Sequence, residues 1–426
     1  MSEPHKRGGL ALTVLLALFV VINYVDRGAI GIAAPKLKGD LHLDHEQFGL
    51  AVSAFAWVYA PAQLAIGWLS GRMCVYRIVA GGLALWALAT FFTGFVGGLT
   101  ALVTMRLLLG IGEGVAFPCS SKIIAAHVPD RHRGLANAAL AAALAIGPAI
   151  GTFAGGHILA THGWRPIFWI FGALTLVWLP FWFMTSKPHW STRAERRADV
   201  PLRLVAGRWA PWSMGIGHFC NTYPFFFALA WLPLFLTEKR GIAIPDMTAM
   251  LTMVYIVQGV GALLWGWLSD RLVAAGRDEG KVRRALMVVY QTAMGTTVIA
   301  AGLASTRTEL FAALLVFGLF GGMGGANPYA ISQIFAGRAA GAWVGIMNGV
   351  GNTSGIVGPI LTGAIIQATG GNYLGAFWLT AAIALFGSGW WWLAVPKIAP
   401  CPDLVEAQRS ATTFAAPAPA PSPAGV

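Results

Sequence analysis

The chain alternates between long apolar runs and short polar stretches. A helix that crosses a bilayer needs about 20 mostly apolar residues, because the hydrocarbon core is about 30 Å thick. The runs that reach this length lie at about 10–34, 46–70, 76–98, 100–123, 134–158, 164–186, 211–237, 247–269, 284–304, 308–334, 340–367 and 372–395. The pattern predicts an all-α, polytopic membrane protein with twelve transmembrane helices.

One connection is much longer than the others and divides the chain. Residues 187–210 are polar and basic, and we interpret them as a cytoplasmic linker loop. The predicted six-helix halves are residues 1–186 and 211–396. The segment 397–426 is rich in Ala, Pro and Ser, a composition that does not support a packed core. We expect this segment to be a disordered cytoplasmic tail.

Two short motifs recur in the same order in both halves. GWLSGR at 67–72 is repeated as GWLSDR at 266–271, and IGPAIG at 146–151 is echoed by VGPILTG at 357–363. Repeats at corresponding positions predict two structurally similar halves that are related by rotation about an axis along the membrane normal. A solute site is then expected between the halves near mid-membrane.

The composition excludes a soluble globular protein. Hydrophobic residues make up 57% of the chain and charged residues only 11%, whereas a soluble domain has about 25% charged residues. The net charge of +12 does not indicate nucleic-acid binding, because most Lys and Arg lie in every second connection between apolar runs. In a helical membrane protein these connections lie on the same side of the bilayer. This positive-inside pattern predicts a multi-pass protein of the inner (plasma) membrane with both termini in the cytoplasm.

The cysteines predict neither a metal site nor a disulfide framework. The chain has four, and their positions are scattered without ligand spacing: Cys74, Cys119, Cys220 and Cys401. We therefore expect no metal and no cofactor. The first run lacks a small-residue cleavage site, so we expect it to be a retained helix and not a signal peptide.

Four ionisable residues lie inside apolar runs, where lipid strongly disfavours charge. Asp26 and Arg27 are adjacent in the first run, and Arg106 and Glu113 occupy the fourth. A spacing of seven residues is about two helical turns, so Arg106 and Glu113 share a face. Desolvation opposes ionisation of a carboxyl and a nearby Arg favours it, a balance that suits Glu113 to carry a proton. The alternatives are a static pair between helices and Arg27 as a structural counter-ion.

Polar side chains in several runs are candidates for contacts with a solute. The planar guanidinium of Arg27 fits a carboxylate with two hydrogen bonds, and Tyr24 lies one turn away. Tyr59 interrupts the second run, and Asn348 and Asn352 share a face of the eleventh. Hydroxyl groups of a solute are the expected partners. Core packing is the alternative for Tyr59, and helix–helix hydrogen bonding is the alternative for the asparagines.

The loop after the second predicted helix of each half resembles the inner-loop Gly-x-Leu-x-Asp-Arg pattern of the major facilitator superfamily. The second half keeps the pattern, whereas Gly71 replaces the acid in the first half and Cys74 replaces a later glycine. The matching residues are Gly67, Leu69, Arg72, Gly266, Leu268, Asp270 and Arg271. The resemblance implies a gating role, and the missing acid weakens the charge lock expected of the first half.

Three strings resemble a narrower group, the anion:cation symporter family of sugar-acid and organic-anion permeases such as galactonate and glucarate transporters. They are NYVDR (23–27), RLLLGIGEGVAFP (106–118) and GIMNGVGNTSGIVGP (345–359). The resemblance covers about residues 10–395.

This resemblance implies roles for individual side chains. Arg27 would contact the substrate carboxylate, Asp26 and Glu113 would be the proton-linked acids, and Arg106 would partner Asp26. Further lining residues would be His218, Asn221 and Asn327; a hydrogen-bonded packing role is the alternative for His218. The Gly-Pro pairs containing Pro148 and Pro359 would lie at the closing seam or form simple kinks.

The sequence therefore predicts a proton-coupled symporter that takes up an organic anion, foremost a sugar acid, by alternating access. Its expected partners are the small organic anion, protons and the lipid bilayer, without nucleic acid, and the chain is expected to be a monomer. Efflux of an amphiphilic drug or metabolite and uptake of an aromatic acid or dicarboxylate remain alternatives. A membrane-embedded enzyme is not expected, because no catalytic or phosphate-binding constellation occurs, and a receptor is a minor alternative.

Overall fold

The computed structural model describes residues 3–70, 72–128, 130–190 and 202–404. Regular structure in these ranges is helical, without strands. The α-helices are α1 (Glu3–Asp40), α2 (His45–Leu69), α3 (Val75–Thr93), α4 (Leu99–Glu113), α5 (Ala116–His127), α6 (Asp130–His162), α7 (Arg165–Ser186), α8 (Leu202–Ala206), α9 (Trp209–Leu234), α10 (Ile244–Ala274), α11 (Glu279–Leu303), α12 (Arg307–Ala336), α13 (Ala340–Gly351), α14 (Ser354–Ala368) and α15 (Leu374–Leu393). Short 3₁₀ turns cover Lys187–His189 and Gly337–Ala339, and a π-helical turn covers Phe235–Lys239.

The prediction of twelve transmembrane helices is confirmed. Within the described ranges, 12 helical segments are long and apolar enough to cross a membrane. Most of these helices are longer than the apolar runs, because polar residues continue the helix past the end of the run. For example, the first run ends at about residue 34, whereas α1 ends at Asp40. Two segments are interrupted by an irregular turn, the fourth between α4 and α5 and the eleventh between α13 and α14. Glu113 ends α4, and Asn352 follows α13, so both interruptions lie beside predicted site residues.

Unlike a soluble protein, the bundle has an apolar outer surface and buries several charged side chains. Large apolar residues are exposed on the outer surface, with Leu393 at 82% exposure and Met184 at 78%. The side chains of Asp26, Arg27 and Glu113 are buried inside the bundle. This arrangement fits a lipid-embedded protein, because lipid accepts the apolar surface and rejects the charges.

The halves, α1–α7 and α9–α15, join along one side of the membrane. We define the distal side as the side on which α1 ends and α2 begins, and the proximal side as the other. Around the end of α1, first-half residues such as Ala33, Leu37 and Phe48 share one hydrophobic core with the second half. The remaining buried first-half residues form a separate cluster that includes Leu16 and Trp86. The molecule is therefore closed on its distal side.

Glycines permit this closure, because backbones meet directly at the crossings. A Cβ on Gly31 of α1 would lie 1.9 Å from the carbonyl oxygen of Leu229 in α9. A Cβ on Gly49 of α2 would lie 2.4 Å from the carbonyl oxygen of Pro359 in α14. No side chain fits at either crossing without separating the two halves.

Gly31→Ala is expected to destabilise the closed molecule by about 1–3 kcal/mol, the usual cost of overpacking a tight contact. Gly39→Ala provides a matched control in the same helix, since a Cβ there meets no atom within 4 Å. Thermal unfolding of the detergent-purified variants is the measurement. Equal melting temperatures for the two variants would show that the crossing between α1 and α9 is not tight in solution.

The structure corrects the predicted start of the disordered tail. Residues 397–404 pack on the proximal end of the second half, where Ile398 and Leu404 are buried and the Cys401 N–H donates to the carbonyl oxygen of Phe335 at 2.9 Å. An ion pair joins Asp403 to Arg208 at the end of the linker; the hydrogen bond from Arg208 lowers the pKa of the Asp403 carboxyl. The rest of the predicted tail, and residues 191–201 of the linker, lie outside the described residues.

Candidate functional site

An arginine and a glutamate form a buried ion pair at the centre of the first half. Arg27 of α1 donates to one carboxylate oxygen of Glu113 twice, from Nε at 3.1 Å and from Nη2 at 2.7 Å. Arg27 is 5% exposed and Glu113 is 0% exposed. Such a pair is strong when intact, whereas removing one partner leaves an uncompensated buried charge.

Aromatic rings surround the Arg27 guanidinium. Its central carbon lies 4.8 Å from the ring centre of Tyr24, 5.0 Å from that of Phe55 and 4.7 Å from that of Tyr59. Ring faces attract a cation and more strongly where water is excluded. Asn23, one turn earlier in α1, also accepts from Nη2 at 3.4 Å. The guanidinium is thus held in place independently of Glu113.

Both buried acids keep one oxygen without a donor. Oε1 of Glu113 and Oδ1 of Asp26 are buried and have no hydrogen-bond partner in the described part of the chain. Asn23 lies beside both Arg27 and Glu113, and its Nδ2 also lacks a partner. A buried ionised carboxylate with an unsatisfied oxygen is costly. A proton on that oxygen would remove the charge, so both groups are suited to exchange protons.

The predicted pairing of Asp26 with Arg106 is wrong. Oδ2 of Asp26 accepts from the indole Nε1 of Trp86 at 2.6 Å and from the hydroxyl of Thr175 at 3.0 Å. Successive residues of a helix point about 100° apart, so Asp26 faces α3 and α7 while Arg27 faces α4.

Arg106 has a different neighbour. Its guanidinium carbon lies 5.1 Å from the ring centre of Phe55, which therefore contacts the guanidinium of Arg27 as well. Among the described residues Arg106 forms no ion pair, and its Nε is buried without an acceptor. Arg106 therefore adds positive charge to the site without neutralising Asp26.

A second polar group lies in the other half. Asn221 Nδ2 contacts His218 Nδ1 at 3.2 Å within α9 and donates to the carbonyl oxygen of Gly324 at 3.1 Å. The Tyr329 hydroxyl of α12 donates to Asn348 Oδ1 of α13 at 3.4 Å. His218 also lies within electrostatic range of the Asn348 side chain. We call His218, Asn221, Tyr329 and Asn348 the amide–histidine group.

The two polar groups face each other between the halves. Tyr329 lies within electrostatic range of Arg27, Tyr24 and Tyr59. A cavity of about 20 Å³, room for about one water molecule, lies beside Arg27 and has a mainly apolar lining: Arg27, Ile30, Val52, Phe55, Ala56, Arg106, Phe226, Leu229, Ala230 and Gly355. A Cβ on Gly345 or Gly349 would meet no atom within 4 Å. These two positions of α13 are therefore not packed against a neighbouring helix.

Two predicted lining residues are used elsewhere. Asn327 donates to the carbonyl oxygen of Arg283 at 2.9 Å and accepts from its guanidinium at 3.5 Å, so it joins α12 to α11. Asn352 donates to the carbonyl oxygen of Asn348 at 3.0 Å, the local bonding expected where α13 ends.

The predicted gating residues fall into two places. The loop-motif residues lie exposed at the proximal ends of α2 and α10: Gly67, Arg72, Gly266, Asp270 and Arg271. Arg271 stacks on Trp267 at 4.7 Å, and Asp270 forms no ion pair within the described ranges. Gly71 lies outside those ranges.

The Gly-Pro pairs are close-packing positions within continuous helices. A Cβ on Gly147, beside Pro148 in α6, would lie 2.6 Å from Cβ of Tyr24. Pro359 of α14 presents its carbonyl oxygen to Gly49 of α2. Both prolines therefore lie where α1 and α2 contact neighbouring helices.

A polar network closes the distal side between the halves. Glu238, in the π-helical turn that follows α9, accepts from Lys38 of α1 at 3.0 Å and from the Tyr373 hydroxyl at 2.9 Å. His45 of α2 contacts the same carboxylate at 3.2 Å. This network is not predictable from the sequence, because its members lie at the ends of apolar runs, where charged residues are common.

Sequence reasoning also missed several neighbours of the buried acids and arginines: Asn23, Phe55, Trp86, Thr175 and Tyr329. Asn23 carried a usable signal, since it precedes Arg27 by one helical turn. The others are ordinary residues of apolar helices, and only the packing brings them to the site.

The sequence matches one family model twice. The model of the Major Facilitator Superfamily matches residues 16–216 and 214–418. The two matches divide the chain close to the linker, in agreement with two related halves.

Curated relatives are similar over nearly their whole length. The chain is 29% identical over 410 residues to the probable sulfoacetate transporter SauU of Cupriavidus necator, covering 91% of this chain and 94% of that protein. It is 27% identical over 417 residues to the D-galactonate transporter of Escherichia coli, covering 91% and 95%. It is 29% identical over 394 residues to the hexuronate transporter of Bacillus subtilis, covering 88% and 93%.

A solved structure shares the fold. A bacterial homolog of the human lysosomal transporter Spinster, in an inward-facing and occupied conformation, superposes with a TM-score of 0.76 at 19% identity. The superposition covers 93% of this chain and 98% of the other.

Proposed function

Because this chain belongs to the Major Facilitator Superfamily, and is therefore a transporter and not an enzyme, we propose that it carries a small organic anion into the cell together with protons. The names of the similar proteins, which include sulfoacetate, galactonate and hexuronate transporters, support an organic anion as the solute. We propose a carboxylate of the sugar-acid class.

The observation that carries this proposal is the Arg27–Glu113 pair. Arg27 is held among aromatic rings with its fork directed at a carboxylate, and the carboxylate it holds is a side chain that can accept a proton. A substrate carboxylate offers the same geometry as Glu113. Glu113 and the substrate would then compete for one guanidinium.

This competition gives a coupling cycle. A proton on Glu113 weakens its bond to Arg27, and the guanidinium becomes available to a substrate carboxylate. Loss of the proton on the other side restores the Arg27–Glu113 pair and displaces the anion. Asp26, with its own unsatisfied oxygen, would supply a second proton site.

The charge of the loops supports an orientation of the chain in the membrane. By sequence, most Lys and Arg fall in the segments expected on the proximal side, which by the positive-inside rule supports a cytoplasmic position for the proximal side and both termini in an inner (plasma) membrane. The distally closed structure would then be the inward-open state. Reopening outward would break the network of Lys38, His45, Glu238 and Tyr373. The exposed loop-motif residues would close the cytoplasmic side: Gly67, Arg72, Gly266, Asp270 and Arg271.

One observation favours a second class of substrate. Tyr24, Phe55, Tyr59 and Tyr329 surround the site with rings, and the small cavity beside Arg27 is mainly apolar. An aromatic monocarboxylate would use this lining better than a polyhydroxy acid.

A single chain contains both polar groups, which fits a monomeric transporter.

Binding measurements test the proposed function. Purified protein is heated with D-galactonate, D-glucuronate, D-glucarate, sulfoacetate, benzoate or the lipophilic cation tetraphenylphosphonium. We expect one or more of the acids to raise the melting temperature and the cation to leave it unchanged. Stabilisation by the cation alone would favour drug efflux and overturn the proposal.

A further inference from the structure

One face of α4 carries a buried donor and a buried acceptor that do not pair with each other. Arg106 and Glu113 are seven residues apart, about two helical turns, and therefore lie on the same face. In the described part of the chain, Nε of Arg106 has no acceptor and Oε1 of Glu113 has no donor, although both atoms are buried. Two unsatisfied buried groups are costly, so a third group has to keep these side chains apart.

Phe55 of α2 meets α4 between the arginine and the acid. Gly110 lies on the same face of α4, one turn after Arg106 and one turn before Glu113. A Cβ on Gly110 would lie 2.4 Å from the backbone carbonyl oxygen of Phe55, so the two helices are in direct contact at this level. The backbone of α2 therefore fills the space on α4 midway between the two charged residues.

The ring of Phe55 also holds the Arg106 guanidinium, whose carbon lies 5.1 Å from the ring centre. The ring is buried, and a cation over a desolvated ring face is attracted by about 2 kcal/mol. Arg27 lies over the same ring at 5.0 Å. The ring thus gives Arg106 an alternative to the Glu113 carboxylate, and the guanidinium that donates to this carboxylate in the described structure is that of Arg27.

We propose that Phe55 is a positioning residue that keeps Arg106 away from Glu113, so that Oε1 of Glu113 stays free to take up a proton. The inference deepens the proposed function and rests on it for the role of Glu113 as the coupling acid. A carboxylate held by two guanidinium groups would stay ionised even after Arg27 binds a solute. With one guanidinium, the departure of Arg27 leaves the buried carboxylate unpaired and favours its protonation.

The charges around Glu113 support this role for the ring. The charged and titratable groups near the acid come from three helices: Tyr24, Asp26 and Arg27 of α1, Tyr59 of α2 and Arg106 of α4. From α3, which also packs on α4, the uncharged Trp86 contacts the position next to the acid, Gly112. Within this set Arg106 is the cation without an acceptor, so it is the group that would bind Glu113 if the ring were removed.

Infrared spectroscopy tests the inference without any solute. The carboxylic acid C=O band of Glu113 is isolated by subtracting the Glu113→Gln spectrum and is followed against pH. In Phe55→Leu, Arg106 is free to bind Glu113, so the band is expected to appear at a pH about one unit or more below that of the wild type. A band that appears at the same pH in both proteins would overturn the proposal.

Two further variants separate this role from a general loss of packing. Phe48→Leu removes a similarly buried ring from the same helix, one that packs edge-to-face on Trp231, and is expected to leave the band at the wild-type pH. Phe55→Leu combined with Arg106→Met removes the competing guanidinium and is expected to return the band to the wild-type pH or above it. An equal shift in Phe48→Leu, or no return in the double variant, would contradict the inference.

Proton counting distinguishes failure of this inference from failure of the proposed function. With an acid that binds, calorimetry in buffers of different ionisation enthalpy is expected to find about one proton per anion in the wild type and fewer in Phe55→Leu at the same pH. Equal uptake in the two proteins would overturn the inference alone. If no acid of the panel binds, the proposed function fails and the infrared titration decides whether Phe55 holds Arg106 off the acid. A wild-type protein without the Glu113 band at any pH would overturn both.

Discussion

Arg27→Lys is expected to weaken binding of the transported acid by about 30-fold or more, equivalent to about 2 kcal/mol. Lysine keeps the positive charge but loses the planar fork that bonds one carboxylate from two nitrogens. It also loses the stacking on Tyr24, Phe55 and Tyr59. Titration calorimetry or the concentration dependence of the thermal shift gives the affinity.

Arg165→Lys is the control for a general loss of a stacked arginine. Arg165 lies 4.4 Å from the ring centre of Trp164 and donates to the carbonyl oxygens of Gly94 and Val96, away from the site. The affinity of the Arg165→Lys variant for the acid is expected to match the wild-type value. If Arg27→Lys binds as tightly as Arg165→Lys, then Arg27 is a structural counter-ion and not the anion-binding residue.

Glu113→Gln is expected to abolish accumulation driven by a pH gradient while exchange of substrate across the membrane continues. Glutamine keeps the shape of the side chain and an oxygen for Arg27 but cannot bind or release a proton. With the competing carboxylate removed, substrate affinity should also lose most of its dependence on pH. Uptake and counterflow in proteoliposomes, with and without an imposed pH gradient, measure these two activities separately.

A double variant distinguishes uncoupling from misfolding. Arg27→Gln combined with Glu113→Gln removes both charges of the buried pair, so it leaves no unpaired ion and is expected to fold without binding the acid. Normal gradient-driven accumulation by Glu113→Gln would rule out Glu113 as the coupling acid. Asp26→Asn would then be the next variant, because Asp26 also keeps an unpartnered oxygen.

Helix number and the burial of the charges could be predicted because lipid imposes them. A run of about 20 apolar residues has few structural outcomes in a bilayer, and an arginine or glutamate within such a run has to face other protein. The same argument placed Arg27, Tyr24 and Glu113 on interior faces. It required no knowledge of how the helices pack.

The partners of those charges could not be predicted, because they depend on how helices distant in sequence are arranged. Asp26 and Arg27 are adjacent, yet Asp26 is bound by Trp86 and Thr175 while Arg27 is bound by Glu113. Asn327 and Asn348 are both asparagines within apolar runs, but the side-chain amide of Asn327 donates a hydrogen bond to the carbonyl oxygen of Arg283. The distal network around Glu238 depends on helix ends of the two halves meeting in the folded protein.

The central claim is that Arg27 exchanges the Glu113 carboxylate for the carboxylate of the solute when Glu113 takes up a proton. Calorimetric titration of the acid in buffers with different ionisation enthalpies counts the protons bound at the moment of binding. Above the pH at which Glu113 releases its proton, wild-type protein is expected to take up about one proton per anion, and Glu113→Gln is expected to take up none. Binding without proton uptake in the wild type, or equal uptake in Glu113→Gln, would contradict the account.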